Sequence, residues 1–503
     1  MSRSNITNGA IISYVSTFLN IIISFVYTPW MIHKIGAADY GLYTLVYSFL
    51  SYFLLDFGIS LSIVRFLSKY RAEGDEQRAS NLIVLTTKIF LFIDIIIFLF
   101  IFCAYFFLEK IFLGLTPSEL ETLKKLYIIA GMFSVMSFAF RPFDGAMLAY
   151  EFFVPNKLLD MIHKVGAVVL ICLALSLHGN VVTMVFIMGI TGFATSIGKY
   201  LVFRHKSSLK FNWSFFDKTE LGLLISFAFW AFFSSLAQRL RLNLVPTVLG
   251  IFANSSEISI FSLGMTFESM IFTISYALNG LFLPRVSKLV GDNDKDSINS
   301  LMVKLGRLQL LMFSLIFFGF FVFGHQFLTL WVGEGFENVY YVVLLLIMTN
   351  FISLTQYIAE NVIYAENKIK DYAIRIFVTS LLGLALACIF SRRLGAVGGA
   401  LGTFGGLLLF QFVINYYYYR ELRIDLGLFF RKCHLSLLPL LTVYSLAFYF
   451  IFHRFIHIDG WVSLIGCILL FSLVYCVVAY TLLLNVEEKR LLHNVLSLGR
   501  RTK

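Results

Sequence analysis

Apolar windows closed by charged residues or by clusters of Gly, Pro and Asn recur along the whole chain: 9–28, 40–63, 82–108, 126–148, 161–178, 182–203, 221–250, 258–282, 305–325, 339–364, 372–391, 398–418, 435–454 and 460–484. A bilayer crossing takes roughly 20 apolar residues, so each window is long enough to span. The pattern predicts an all-α integral membrane protein of about fourteen transmembrane helices. An even count puts both termini on one side, and basic residues tell which side that is. Alternate loops and both termini carry about 30 of the 40 Lys and Arg, among them Arg65, Lys69, Arg71, Arg204, Arg285, Lys368, Arg420 and Arg431, while the opposite loops carry about seven. Both termini are therefore expected in the cytoplasm, in a multi-pass protein of the bacterial cytoplasmic membrane. The longest external connection, about 109 to 125, has fewer than twenty residues, too few for a folded catalytic domain.

Composition narrows the class further. Of 503 residues, 59% are hydrophobic and 14% charged, against about 25% charged in an ordinary soluble domain. A soluble enzyme is excluded on that ground. The net charge of +11 reads first as an orientation signal, since no basic run with interleaved aromatics points to nucleic acid. The 56 Phe and 25 Tyr suit lipid-facing helices and interfacial belts. Five of the six cysteines lie in apolar runs and none has metal-ligand spacing, so neither disulfides nor a metal site is expected. Arg3 precedes a first apolar run with no small-residue cleavage site, which reads as an uncleaved first helix.

The two halves of the chain echo each other. Asp39-Tyr40-Gly41-Leu42-Tyr43-Thr44-Leu45 can be laid on Glu257-Ile258-Ser259-Ile260-Phe261-Ser262-Leu263, Arg65 and Lys69 fall near Arg285 and Lys288, Gly179 matches Gly395 and Arg204 matches Arg420, all at offsets of about 216 to 220 residues. Each copy holds six spans, so the copies share one orientation and are related by an axis along the membrane normal. This predicts an N-terminal six-helix lobe over 1–210, a C-terminal six-helix lobe over 211–425, and an added helix pair with a cytoplasmic tail over 426–503. Paired lobes place a cargo cavity between them near the bilayer midplane, which favours transport over catalysis.

Few ionisable residues fall inside the spans, and each costs about 2.5 to 3.5 kcal/mol at a helix centre unless it faces protein or water. They are Asp56, Lys88, Asp94, Arg141, Asp144, Arg239, Arg241 and Glu268. Arg141, Arg239, Arg241 and Lys88 form the candidate cationic cavity, because an arginine fork binds phosphate oxygens bidentately and keeps its charge. Bland alternatives stand beside this: Arg141 can pair along its own helix with Asp144, Lys88 can snorkel to the inner surface, and Arg239 and Arg241, about 200° apart on one helix, cannot both face a cavity. Asp56, Asp94, Asp144 and Glu268 are either counter-ions to these cations or coupling residues for an H+ or Na+ gradient. No cofactor is expected. There is no phosphate-cradling Gly-rich loop with Lys, and His163, His178 and His325 stand alone near span ends.

The stretch Lys34-Ile35-Gly36-Ala37-Ala38-Asp39-Tyr40-Gly41-Leu42-Tyr43, followed by Leu55-Asp56-Phe57-Gly58-Ile59-Ser60 and Arg65-Phe66, resembles the opening of bacterial polysaccharide-biosynthesis flippases of the multidrug, oligosaccharidyl-lipid and polysaccharide exporter superfamily. Leu283-Pro284-Arg285-Val286-Ser287, Phe327 to Gly333, Ala365-Glu366-Asn367-Lys368 and Leu394 to Ala400 continue the likeness in family order. The resemblance implies a cationic central cavity and an alternating-access flippase, not an enzyme. Its implied cargo is an undecaprenyl-pyrophosphate-linked O-antigen or capsule repeat unit, and its implied partners are membrane lipid and the polysaccharide polymerase machinery. Lipid II flippases of that superfamily carry charges on the first helix, where this chain offers only Asn20, Ser24 and Tyr27. Two other classes compete with this reading: a cation-coupled multidrug exporter, for which acidic rather than arginine cavity residues are expected, and a membrane-embedded polymerase or glycosyltransferase, for which a large external loop is expected.

Overall fold

The computed structural model describes residues 3–54, 59–207, 209, 211–222, 224, 232, 236, 243–276, 282–366, 368–456, 458 and 460–490. Every regular element among them is helical. In chain order these are α1 (Arg3–Ile35), α2 (Ala37–Leu50), α3 (Ile59–Ala72), α4 (Glu76–Tyr105), α5 (Leu108–Ile111), α6 (Pro117–Phe138), α7 (Pro142–Ala149), α8 (Phe153–Ser176), α9 (Val181–Lys206), α10 (Leu244–Phe252), α11 (Ser255–Tyr276), α12 (Leu283–Gly291) and α13 (Lys295–Trp331). They are followed by α14 (Glu337–Met348), a short irregular stretch, α15 (Tyr357–Ala365), α16 (Ile369–Arg420), α17 (Leu426–Lys432), α18 (His434–Phe455) and α19 (Trp461–Val478).

The helix starts follow from local chemistry. Orphan N–H groups at a helix N-terminus are met by short polar side chains: Asp75 accepts from Arg78 N (2.9 Å), Asn180 from Thr183 N (3.1 Å), Asp294 from Ser297 N (3.0 Å) and Asp425 from Leu428 N (2.8 Å). Thr116 and Glu119 form a reciprocal capping box around Pro117 at the first turn of α6. Helix α4 buries Phe90, Asp94, Ile97 and Ile101 on one stripe and exposes Phe92, Ile95, Leu99 and Phe102 on another, as expected of a helix with protein on one side and lipid on the other.

Nine helices among the described residues are long and apolar enough to cross a membrane, ten if α6 and α7, bent by 43°, make one span. Fourteen windows do not become fourteen unbroken helices, for three local reasons. The second window is interrupted by a turn at 51–53 between α2 and α3, and most of the seventh lies outside the described residues. The eleventh and twelfth run into one 52-residue element that is folded back on itself at Gly395 (φ +53°, ψ −131°), so that Gly406 packs on Gly383 and Gly402 on Ala387. Only a residue without a Cβ takes that φ freely, and a Cβ there would also overlap the Glu257 carboxylate. The external connection after α4 is shorter than expected because α5 and α6 reach into it.

The chain groups into two compact units, residues 1–263 with 373–406, and 264–372 with 407–503. These bounds differ from the expected lobes 1–210 and 211–425 and helix pair 426–503, because helix ends from the second half of the sequence pack tightly on the first half. In the first unit, α8 and α9 pack antiparallel, with Leu159 against Gly198 and His163 against Gly192. Aromatic edges fill the interior: Phe90 on Phe138 at 5.2 Å and Phe143 on Tyr200 at 4.8 Å between ring centres. In the second unit Phe351 sits 4.8 Å from Phe313 and 4.7 Å from Phe317, and Phe323 meets Phe452 at 4.8 Å.

One ion pair organises the second unit. Arg307, near the start of α13, spends all five guanidinium N–H groups: Nε and Nη2 on the Glu488 carboxylate (2.6 and 3.1 Å), Nη1 on Lys432 O (2.7 Å) and Ser436 Oγ (2.8 Å), and Nη2 also on Leu483 O (2.7 Å). Both side chains are about 10% exposed. Glu488 in turn exchanges hydrogen bonds with Asn485. The last two long helices and the segment after them are thus pinned to α13. Arg307→Met leaves a buried carboxylate and two carbonyls unpaired and should cost about 3–5 kcal/mol, read as a lower melting temperature in detergent. The double variant Arg307→Met, Glu488→Leu should recover part of that loss; no recovery would contradict a closed, mutually satisfied pair.

Candidate functional site

Ionisable residues from four helices of the first unit lie within the membrane segment. Arg141 stands at the break between α6 and α7, where Pro142 starts the new helix. It is half-buried, donates from Nη1 to the Leu54 carbonyl (3.3 Å), and its guanidinium lies 5.4 Å from the centre of the Phe138 ring. No carboxylate pairs with it among the described residues. The in-helix pair with Asp144 does not form, since the bend at Pro142 intervenes and Asp144 has another partner: Lys199 Nζ, at 2.7 Å.

The sequence pattern does not single out that lysine. Lys199 lies on α9, its side chain is 14% exposed, and it also binds Asp160 of α8 at 2.8 Å. Lys199 is seven residues from the end of α9 and Asp160 seven from the start of α8, about 10 Å of rise in each case. Opposite charges at one depth on adjacent antiparallel helices are the available signal; assignment of both to span ends hides it. The same holds for Arg307, two residues inside its apolar window.

The remaining candidates separate. Lys88 is half-buried and donates to the Phe215 carbonyl (3.1 Å), so its ammonium is held by backbone rather than snorkelling free into water. Asp94 sits on the buried stripe of α4, 9% exposed, and its Oδ1 has no hydrogen-bond partner. No cation pairs with it among the described residues, which removes the counter-ion role there and leaves a carboxyl group that hydrocarbon surroundings hold neutral. Glu268 is half-buried on α11, in the second unit. Asp56, Arg239 and Arg241 lie outside the described residues. Among the described residues no cluster of three or more His, Cys, Asp or Glu could hold a metal ion.

This is a multi-pass helical membrane protein with a transporter's fold, and the comparisons agree. The structure of the lipid II flippase MurJ in an inward closed conformation matches with a TM-score of 0.71 at 15% identity, over 94% of this chain and 99% of that one. An inward-facing multidrug resistance MATE family transporter of the MOP superfamily matches with a TM-score of 0.69 at 12% identity, over 82% and 98%. The MATE multidrug transporter DinF-BH matches with a TM-score of 0.58 at 14% identity, over 86% and 97%. No curated protein sequence matches. The family model described as polysaccharide biosynthesis protein covers residues 6–290, more than half of the sequence, and the chain belongs to that family.

Lys199→Met strands two carboxylates at once, whereas Asp144→Asn removes one of two partners from a half-exposed site. The first should lower stability by about 1–3 kcal/mol and the second by under about 1 kcal/mol, measured by thermal unfolding of the purified protein. Equal losses would show that Lys199 does not bridge the two.

Proposed function

We propose that this protein is a secondary flippase that moves an undecaprenyl-pyrophosphate-linked oligosaccharide from the inner to the outer leaflet of the cytoplasmic membrane by alternating access. The single observation that carries the cargo's charge is Arg141: a half-buried guanidinium within a span, with one carbonyl contact and no carboxylate, has donors left for a phosphate oxygen. Family membership supports polysaccharide biosynthesis as the setting, and the named neighbours, a lipid II flippase and multidrug transporters, support transport over catalysis. Arg239 and Arg241 belong to the same proposed phosphate site, with one of the two facing it, and Lys88 adds positive charge. The orientation is that of the basic loops, with both termini in the cytoplasm and polymerase machinery receiving the unit outside. O-antigen or capsule units are the cargo classes proposed, and the drug-exporter alternative is disfavoured by an unpaired arginine, which repels a cation.

Coupling falls to Asp94 in this proposal. A buried acid with an unpartnered oxygen binds a proton reversibly once water reaches it, and so can exchange it between leaflet sides. The H+ gradient then drives the cycle, with no cofactor.

Deletion of the gene should leave lipid-linked units on the inner leaflet with their synthesis intact; unpolymerised units on the outer leaflet would instead mark a polymerase. Arg141→Ala and one of Arg239→Ala and Arg241→Ala should each reduce transfer at least tenfold, the other of the pair much less. Asp94→Asn should abolish the response of transfer to an imposed pH gradient while leaving the melting temperature equal or higher; unchanged gradient dependence would remove Asp94 from coupling.

A further inference from the structure

Within the first unit, residues equivalent in the internal repeat touch one another. At an offset of 218, Ala37, Gly41 and Thr44 of α2 correspond to Ser255, Ser259 and Ser262 of α11. Ser262 Oγ donates to Thr44 Oγ1 at 3.0 Å, one equivalent residue to the other. Ser259 Oγ donates to the Ala37 carbonyl, and reciprocally Gly41 is pressed against the Ser255 carbonyl so closely that a Cβ at 41 would overlap that oxygen. Pairs i with j and j with i are the signature of a two-fold axis, which here passes between Thr44 and Ser262.

The contact continues around that axis. Glu119, from the capping box of α6, accepts from Ser255 Oγ, and Glu257 accepts the Ala396 N–H at 2.6 Å where α16 turns back. Gly114 N donates to Gly250 O at 3.3 Å, and Arg392 lies over the Phe252 ring at 4.3 Å. Lower down, Tyr52 donates to the Asn243 carbonyl (2.6 Å) and shares a hydrogen bond with Thr247 (2.7 Å), at the turn that ends α2. All these groups lie toward the end of the bundle away from the Lys- and Arg-rich loops.

We propose that this seam is the external gate of the transporter, shut in the present structure, and that it opens by parting α2 from α10 and α11 along the two-fold axis. The proposal rests on the flippase reading for what passes through the gate. Its chemistry suits repeated opening: hydroxyls and carbonyls that lose each other regain water at little net cost, and Gly and Ser let the backbones close again without interlocking large side chains. The interrupted helix at 51–53 lets α2 swing apart from the chain that follows it.

The test uses the full-length protein with its six native cysteines replaced, carrying Thr44→Cys and Ser262→Cys. Oxidation should join the two thiols and lower transfer of lipid-linked units at least tenfold, with recovery on reduction. A disulfide that forms and leaves transfer unchanged, or thiols that cannot be joined, would overturn the gate. A second arm exploits the symmetry: Gly41→Ser should hold the seam ajar, raising the labelling of a lone Thr44→Cys by a membrane-impermeant maleimide added outside. Adding Ser259→Gly mirrors the original contact and should return labelling toward the starting level. Equal labelling in all three backgrounds also overturns the proposal. Labelling needs no cargo, so it judges the gate even if the unmodified protein moves no lipid-linked unit, the outcome that defeats the flippase reading alone.

Discussion

A charge within hydrocarbon must be met by another part of the protein, and most of what is particular about this structure answers that requirement. Three solutions appear. Arg307 and Glu488 close on each other with every guanidinium donor used. Lys199 satisfies two carboxylates from two helices. Asp94 is met by nothing at Oδ1, a condition that only a neutral carboxyl tolerates. The first two are fully occupied and hold helices together. Arg141 and Asp94 keep binding capacity in reserve, and a transporter needs such groups where cargo and proton pass.

The small-residue seam is the counterpart on the backbone side. Glycines and serines at Gly41, Gly250, Ser255, Ser259 and Ser262 bring helices from the two halves of the sequence within hydrogen-bonding reach. The same contacts explain why the compact units do not follow the repeat: α10 and the first turns of α11 belong by packing to the half they touch. Repeat and packing are thus two separate divisions of one chain.

Much of the fold is legible in the sequence because a bilayer simplifies the code to long apolar runs. The windows beginning at 82, 161, 182, 305, 339, 435 and 460 each coincide with helices within several residues at their ends. What escapes is local: the break after α2, the reversal at Gly395 without a loop, and the extension of helices into connections through capping by Thr116 and Asn180. In the candidate site, residue type identifies Arg141, Asp94 and Lys88, but partners are a matter of three dimensions. An i,i+3 spacing suggests Asp144 as the partner of Arg141, and the Pro142 bend makes that spacing void. Lys199 escapes because distance to the span end says nothing of what lies opposite at that depth. The repeat offset, by contrast, contains the seam: the pairs it aligns are the pairs that touch.

At the centre stands the proposal that this chain itself carries an anionic, lipid-linked saccharide across the bilayer. Purified protein reconstituted into vesicles bearing a fluorescent undecaprenyl-pyrophosphate oligosaccharide, with an impermeant glycosidase added outside after external substrate has been consumed, measures that transfer directly. If the chain is the carrier, a second phase of cleavage appears that requires the protein and is accelerated by an imposed proton gradient. Vesicles in which the inner pool stays protected, with folded protein and a competent gradient, would contradict it.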